Sequence, residues 1–84
     1  MGELSKLPNI GAVVEKQLNQ AGIKTYDELK KIGSKKAWLK IHADDPSACI
    51  HRLYALEGAI ENVKKSELSA EIKEDLKKFY NSQK

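Results

Sequence analysis

Pro8 and Gly11 stand between two stretches that both read as helix, and this pair of breakers constrains the fold more than any other feature of the chain. The proline ring disfavours helical geometry in the residue before it, so a first short helix over Glu3 to Leu7 has to stop there. From Ile10 onward the apolar residues Ile10, Val13, Val14, Leu18 and Ala21 recur at helical spacing. Gly22 then supplies a left-handed cap, with Ile23 tucking back as the apolar residue after it. Leu7-Pro8-Asn9-Ile10-Gly11 is therefore a tight hairpin between two helices.

Capping chemistry divides the rest of the chain. Thr25 with Glu28 three residues later makes a capping box for a helix over Tyr26 to Ile32, with Tyr26, Leu29 and Ile32 on one face. Gly33 closes that helix and Ser34 is expected to cap the next, Lys35 to His42, whose apolar share is Trp38, Leu39 and Ile41. Asp44-Asp45-Pro46 reads as a further start, with Asp45 as cap and Pro46 at the first helical position, opening the longest helix from Ser47 to about Val63. Its stripe is Cys49, Ile50, Leu53, Tyr54, Leu56, Ile60 and Val63, interleaved with the small residues Ala48, Ala55, Gly58 and Ala59. A Ser69 cap starts the last helix, which carries Ile72, Leu76, Phe79 and Tyr80 inward and frays at Asn81 to Lys84. No segment alternates with a period of two, so the fold class is all-α, about five helices in a single domain over 1–84.

A chain of 84 residues buries only about 60–65% of the surface it exposes when unfolded, which leaves little room for an enclosed active site. A lone cysteine, Cys49, cannot pair internally and is expected as a buried thiol on the apolar stripe. No apolar run has the length of a signal peptide or membrane span, so the expected location is cytoplasmic, with no membrane partner. Residues 1–42 carry eight lysines against four acids, whereas residues 43–84 carry seven basic and eight acidic side chains. The excess gathers at Lys30, Lys31, Lys35, Lys36 and Lys40, a density that suits either a solvated helix face or attraction to a polyanion.

The hairpin is the candidate site. Helix-opening N–H groups have no intrahelical partner and lie at the positive end of the helix dipole, so the backbone of Asn9, Ile10, Gly11 and Ala12 could meet a phosphate, with Lys6 and Lys16 adding charge. This resembles the helix-hairpin-helix motif, whose loop has glycine at the third and fifth positions of Leu-Pro-Gly-Ile-Gly. Here Asn9 stands at the third, a residue type that tolerates left-handed geometry. The bland reading of the same turn is a plain joint between two packed helices. If phosphates are bound, the contact is with DNA, non-specific and weak, ~10⁻⁴ to 10⁻⁶ M, and two copies in a homodimer would hold more tightly.

Other constellations have structural explanations. Trp38 among lysines could be a stacking platform, but packing beside Leu39 and Ile41 is the better account. His42, Asp44, Asp45 and His51 fall in different segments and do not suggest a metal; Cys49 and His51, two apart on a helix, diverge. Glu71, Glu74 and Asp75 suit the opening turns of the last helix. With no phosphate loop, ligand spacing or triad, neither an enzyme nor a cofactor is indicated.

Leu7-Pro8-Asn9-Ile10-Gly11, the run Ala21-Gly22-Ile23-Lys24-Thr25-Tyr26-Asp27-Glu28-Leu29, Gly33-Ser34, and Leu53-Tyr54-Ala55-Leu56-Glu57-Gly58-Ala59-Ile60 together resemble the C-terminal domain of the TfoX/Sxy competence-regulator family. The resemblance spans nearly the whole chain as a stand-alone domain. It implies a bacterial helical domain with a helix-hairpin-helix or SAM-like arrangement, and a link to regulation of DNA uptake or transcription. Family regulators of the full-length type carry another domain ahead of this one. The expected function is thus a non-enzymatic regulatory binding module whose partner is DNA. The alternative is a protein-interaction or self-association module that docks a regulatory protein or a second copy, through Ala48, Ala55, Gly58 and Ala59 or the exposed part of the last helix.

Overall fold

The computed structural model describes residues 3–83; Met1, Gly2 and Lys84, at the ends of the expected domain, lie outside the described residues. A 3-10 turn over Glu3–Lys6 leads through the hairpin into α1 (Ala12–Gln20), followed by α2 (Tyr26–Asp44), α3 (Ile50–Glu61), a second 3-10 turn over Lys65–Glu67, and α4 (Ala70–Ser82). There is no strand among the described residues. The all-helical expectation is met by four α-helices and two 3-10 turns.

Local capping sets the boundaries where it was expected to. The Thr25 side chain accepts from Glu28 N–H at 3.1 Å while Glu28 Oε1 accepts from Thr25 N–H at 3.1 Å and Lys24 N–H at 3.0 Å, a reciprocal box that opens α2. Those donors, Lys24 N–H foremost, hold the Glu28 carboxyl below its usual range. Ser69 Oγ accepts from Ile72 N–H at 3.2 Å and opens α4. At the end of α1, Ile23 N–H reaches Leu18 O at 2.8 Å and Gly22 N–H reaches Asn19 O at 3.0 Å, a Schellman closure with Gly22 in the left-handed position. Ile23 is buried behind it, as the sequence suggests.

The two helices expected over Tyr26 to Ile32 and Lys35 to His42 follow one another within α2, divided as expected at Gly33, whose φ of 84° and ψ of 159° are non-helical and bend the chain. Ser34 does not cap the second half. Its hydroxyl donates to Glu57 Oε1 at 2.6 Å, so the side chain meant for a cap ties the bend to α3 instead.

α3 starts later than the Asp45-Pro46 signal implies. Asp45 is the C-cap of α2, with its N–H on Ile41 O, and Cys49 is the N-cap of α3. Pro46 and Ser47 form a turn in which Ser47 N–H and Oγ both donate to Asp45 Oδ1, and Ala48 N–H returns to Asp45 O at 3.0 Å. That turn carries Cys49 to the surface, so the expected buried thiol is exposed. The far end of α3 closes at Glu61 rather than Val63: Asn62 adopts φ 60°, with Asn62 N–H on Ala59 O and Val63 N–H on Gly58 O.

α3 is the central element, packed against α2, α4 and the second 3-10 turn. Leu53, Leu56 and Ala59 from α3 meet Leu29, Ala37, Trp38 and Ile41 from α2 in one core completed by Leu4, Leu18 and Leu76. Trp38 is 1% exposed; its indole N–H donates to Cys49 O at 3.3 Å, and its ring stacks on His42 and meets the edges of Phe79 and Tyr80. Besides Cys49, two residues expected inside lie outside: Leu39 and, more so, Val13, which is 67% exposed in the first turn of α1. Val13 points away because Val14, Leu18 and the buried Glu15 already define the inner face of so short a helix.

Candidate nucleic-acid interface

The hairpin is built by successive turns of the chain. Leu7 N–H donates to Leu4 O at 3.0 Å and Ile10 N–H to Leu7 O at 3.3 Å, which folds the loop back on the 3-10 turn. Ile10 is buried, and with its N–H already engaged it serves as the anchor of the hairpin. Asn9 takes the left-handed conformation, φ 69°, that glycine would supply in the helix-hairpin-helix loop. Its side chain does something glycine could not. Nδ2 donates to Val63 O at 3.0 Å and Oδ1 accepts from Lys65 N–H at 3.0 Å, clamping the hairpin to the end of α3.

Gly11 is the N-cap of α1 in extended geometry, and no side chain caps this end. Glu15 N–H closes the first turn on Gly11 O at 3.0 Å, leaving the N–H groups of Ala12, Val13 and Val14 without an acceptor among the described residues. Gly11, Ala12 and Val13 are all exposed. Ser5 N–H donates to Glu15 Oε2 at 3.0 Å, which holds the 3-10 turn beside α1. Lys6 and Lys16, each one residue beyond a member of that pair, are exposed. Of the sequence-derived site residues, Gly11, Ala12, Lys6 and Lys16 therefore face solvent, while Asn9 and Ile10 hold the loop in place.

Next to the hairpin, the first turns of α3 and the second 3-10 turn border two shallow clefts that the sequence gives little sign of. One, of about 200 Å³, lies between Asn9, Val14, Cys49, His51, Arg52, Ala55 and Lys65. The other, of about 250 Å³, lies between His51, Tyr54, Lys65, Ser66 and Lys73. Lys64-Lys65 is the sequence signal for this region, but its nearness to the hairpin depends on the Asn9 clamp. Arg52 is engaged elsewhere: Nη1 donates to Gln17 Oε1 at 3.0 Å and lies 3.2 Å from Asp45 Oδ2, while Gln17 Nε2 donates to the same Asp45 oxygen at 2.9 Å. Ser47, then Gln17 and Arg52, hold the Asp45 carboxyl down at about 2.

The lysines of α2 are partly occupied by internal contacts. Lys35 Nζ is 2.7 Å from Asp75 and lies over the Phe79 ring, and Lys30 Nζ lies over Tyr26. The small residues Ala48, Ala55, Gly58 and Ala59 are buried inside the domain, so they cannot form the docking stripe that their spacing suggests. His42 stacks on Trp38, and no described group of three or more His, Cys, Asp or Glu is placed to hold a metal ion. No helix among the described residues is long and apolar enough to cross a membrane.

Comparison with known proteins places this arrangement. The model of the TfoX C-terminal domain matches residues 1–80. Protein Sxy of Escherichia coli (strain K12) is 29% identical over 79 residues, covering 94% of this chain and 38% of that protein, so the chain spans well under half the length of this relative. Among solved structures, an uncharacterized protein from Listeria monocytogenes in a triclinic crystal form superposes with a TM-score of 0.95 at 50% identity, covering 98% of this chain and 93% of that one. A protein of unknown function from Listeria monocytogenes in a tetragonal form gives 0.94 at 50% identity, covering 98% of this chain and all of that one. With the family model matching across all four helices, the chain belongs to the TfoX C-terminal domain family.

Proposed function

We propose that this domain is a non-enzymatic regulatory module that contacts DNA weakly and without sequence preference, in connection with the control of competence or transcription. The observation that carries the reading is the uncapped, exposed first turn of α1, flanked by Lys6 and Lys16 and held rigidly by the Asn9 clamp. A phosphate at this position accepts from N–H groups that have no other acceptor among the described residues and sits at the positive end of the helix dipole. Phosphate contacts of this kind carry no sequence information, and they weaken steeply as salt rises. Membership of a regulatory family supports the same reading.

The test is a fluorescence-anisotropy titration of labelled duplex DNA at low and near-physiological salt, with Gly11→Asp/Lys16→Glu beside the parent. Gly11 has ordinary extended backbone and open space where a Cβ would stand, so aspartate fits there as a helix cap and occupies the anion position with its own carboxylate. The variant should keep its fold and lose binding. Binding that is unchanged in the folded variant overturns the hairpin as the contact. No binding by the parent even at low salt turns the reading to a protein partner or a second copy of the chain.

A further inference from the structure

The two clefts beside the hairpin share His51 and Lys65, so they lie side by side along a surface groove that runs from Asn9 to Lys73. No aspartate or glutamate lines any part of it. Arg52 on its rim is paired with the Asp45 carboxylate; its other cations are the exposed Lys65 and the half-buried Lys73, whose ammonium, among the described residues, reaches only the neutral Ser66 carbonyl, at 3.5 Å. Between them stand two rings: the half-buried Tyr54 and the exposed His51, whose planes meet edge to face at 77° with centroids 6.3 Å apart.

A basic groove lined by aromatic rings differs in kind from the hairpin surface. A duplex presents phosphates outward and keeps its bases stacked inside, so it can use the lysines of such a groove but not its rings. An unpaired base has a free face, and stacking on tyrosine or histidine suits any base. We infer that this groove takes a single strand of nucleic acid, with phosphates against Lys65 and Lys73 and bases against the Tyr54 and His51 rings, each of which, being nearly perpendicular to the other, can stack on a different base. The inference rests on the reading that the hairpin surface meets nucleic acid, and it adds the strandedness of the ligand and a second set of contacts.

The experiment compares a labelled oligothymidylate with a labelled duplex, titrated with the parent, Lys65→Glu/Lys73→Glu, Tyr54→Leu, His51→Ala and the hairpin variant, each checked for helicity. The single strand should bind more tightly than the duplex. Reversal of the two lysines should lower its affinity roughly tenfold or more and flatten the salt slope by about 1.4, two phosphates at about 0.7 each. Tyr54→Leu, which keeps apolar bulk against the core, should cost roughly fivefold or more for the single strand and leave the duplex unchanged. His51→Ala, at an exposed position, gives the same readout free of any packing effect.

Equal affinity for both ligands, or a single-strand preference untouched by the groove variants, overturns the inference, and the hairpin reading then stands if its own variant abolishes binding. Loss of single-strand binding in the groove variants with none in the hairpin variant upholds the groove and removes the hairpin. Failure of the parent to bind either ligand removes both.

Discussion

Asn9 and Gly58 compete for one space: a Cβ on Gly58 would stand 2.5 Å from Asn9 Nδ2 and 2.8 Å from the Val63 carbonyl oxygen that this amide donates to. The hairpin can rest on α3 only because residue 58 has no side chain. Gly58→Ala would push on backbone at Val63 as well as on the amide, so it should cost about 1–3 kcal/mol in the manner of an overpacked core. Asn9→Gly keeps the left-handed turn but deletes two hydrogen bonds, each contributing ~0.5–1.5 kcal/mol. Because the two sites touch, the double variant should be less destabilised than the sum of its parents, as urea denaturation of all four proteins would show.

Burial separates two apolar residues that look alike by periodicity. Leu53 is fully buried against α2, and Leu53→Ala should cost ~2–5 kcal/mol, a large part of the ~5–15 kcal/mol available to a domain. Val13→Ser, at the exposed start of α1, should stay within about 0.5 kcal/mol of the parent. Thermal denaturation followed by circular dichroism distinguishes them.

What the sequence discloses follows from how far each interaction reaches along the chain. Thr25 with Glu28 and Ser69 with Ile72 are contacts three residues apart, and Gly22 ends α1 by backbone geometry alone. These were legible. Asp45 departs from the cap its sequence implies because its carboxylate is shared between the local Ser47 turn and the distant Gln17, 28 residues away, and Arg52, and the start of α3 and the exposure of Cys49 follow from that. The hairpin was legible as a turn, but Asn9 as a clamp was not, since Val63 and Lys65 lie 54 and 56 residues away. The groove is illegible for a similar reason: His51 and Tyr54 of α3 meet Lys65 of the second 3-10 turn and Lys73 of α4 only once those elements pack together.

The Asp45 cluster should report its own disruption in acid. Its carboxyl is lowered from 3.8 to about 2 by hydrogen bonds from Ser47, Gln17 and Arg52. A depressed carboxyl contributes stability that is fully present above its unfolded value and is lost as pH falls through the folded one, here between 3.8 and about 2. An NMR titration of the Asp45 carboxyl carbon should place its midpoint near 2. Asp45→Asn should be less stable than the parent at neutral pH and show a shallower acid loss, and a titration at the ordinary value would mean that the triangle with Gln17 and Arg52 does not persist in solution.

Glu61 should act in the opposite sense. Glu57, one helical turn earlier, hydrogen-bonds to the exposed Glu61 carboxyl, and slight desolvation and like-charge repulsion add to the effect, so the Glu61 carboxyl is pushed up to about 7. Glu57 itself is held in place by the Ser34 hydroxyl at the α2 bend. A raised carboxyl favours the folded state while it is protonated. Its contribution is complete below the unfolded value of 4.5 and is lost as pH rises through about 7. The parent should therefore lose stability between pH 4.5 and about pH 7, whereas Glu61→Gln, which keeps a hydrogen-bond donor toward Glu57 at every pH, should not. Urea midpoints across that range test the point, and parallel curves for parent and variant would show that the two carboxyls are independent.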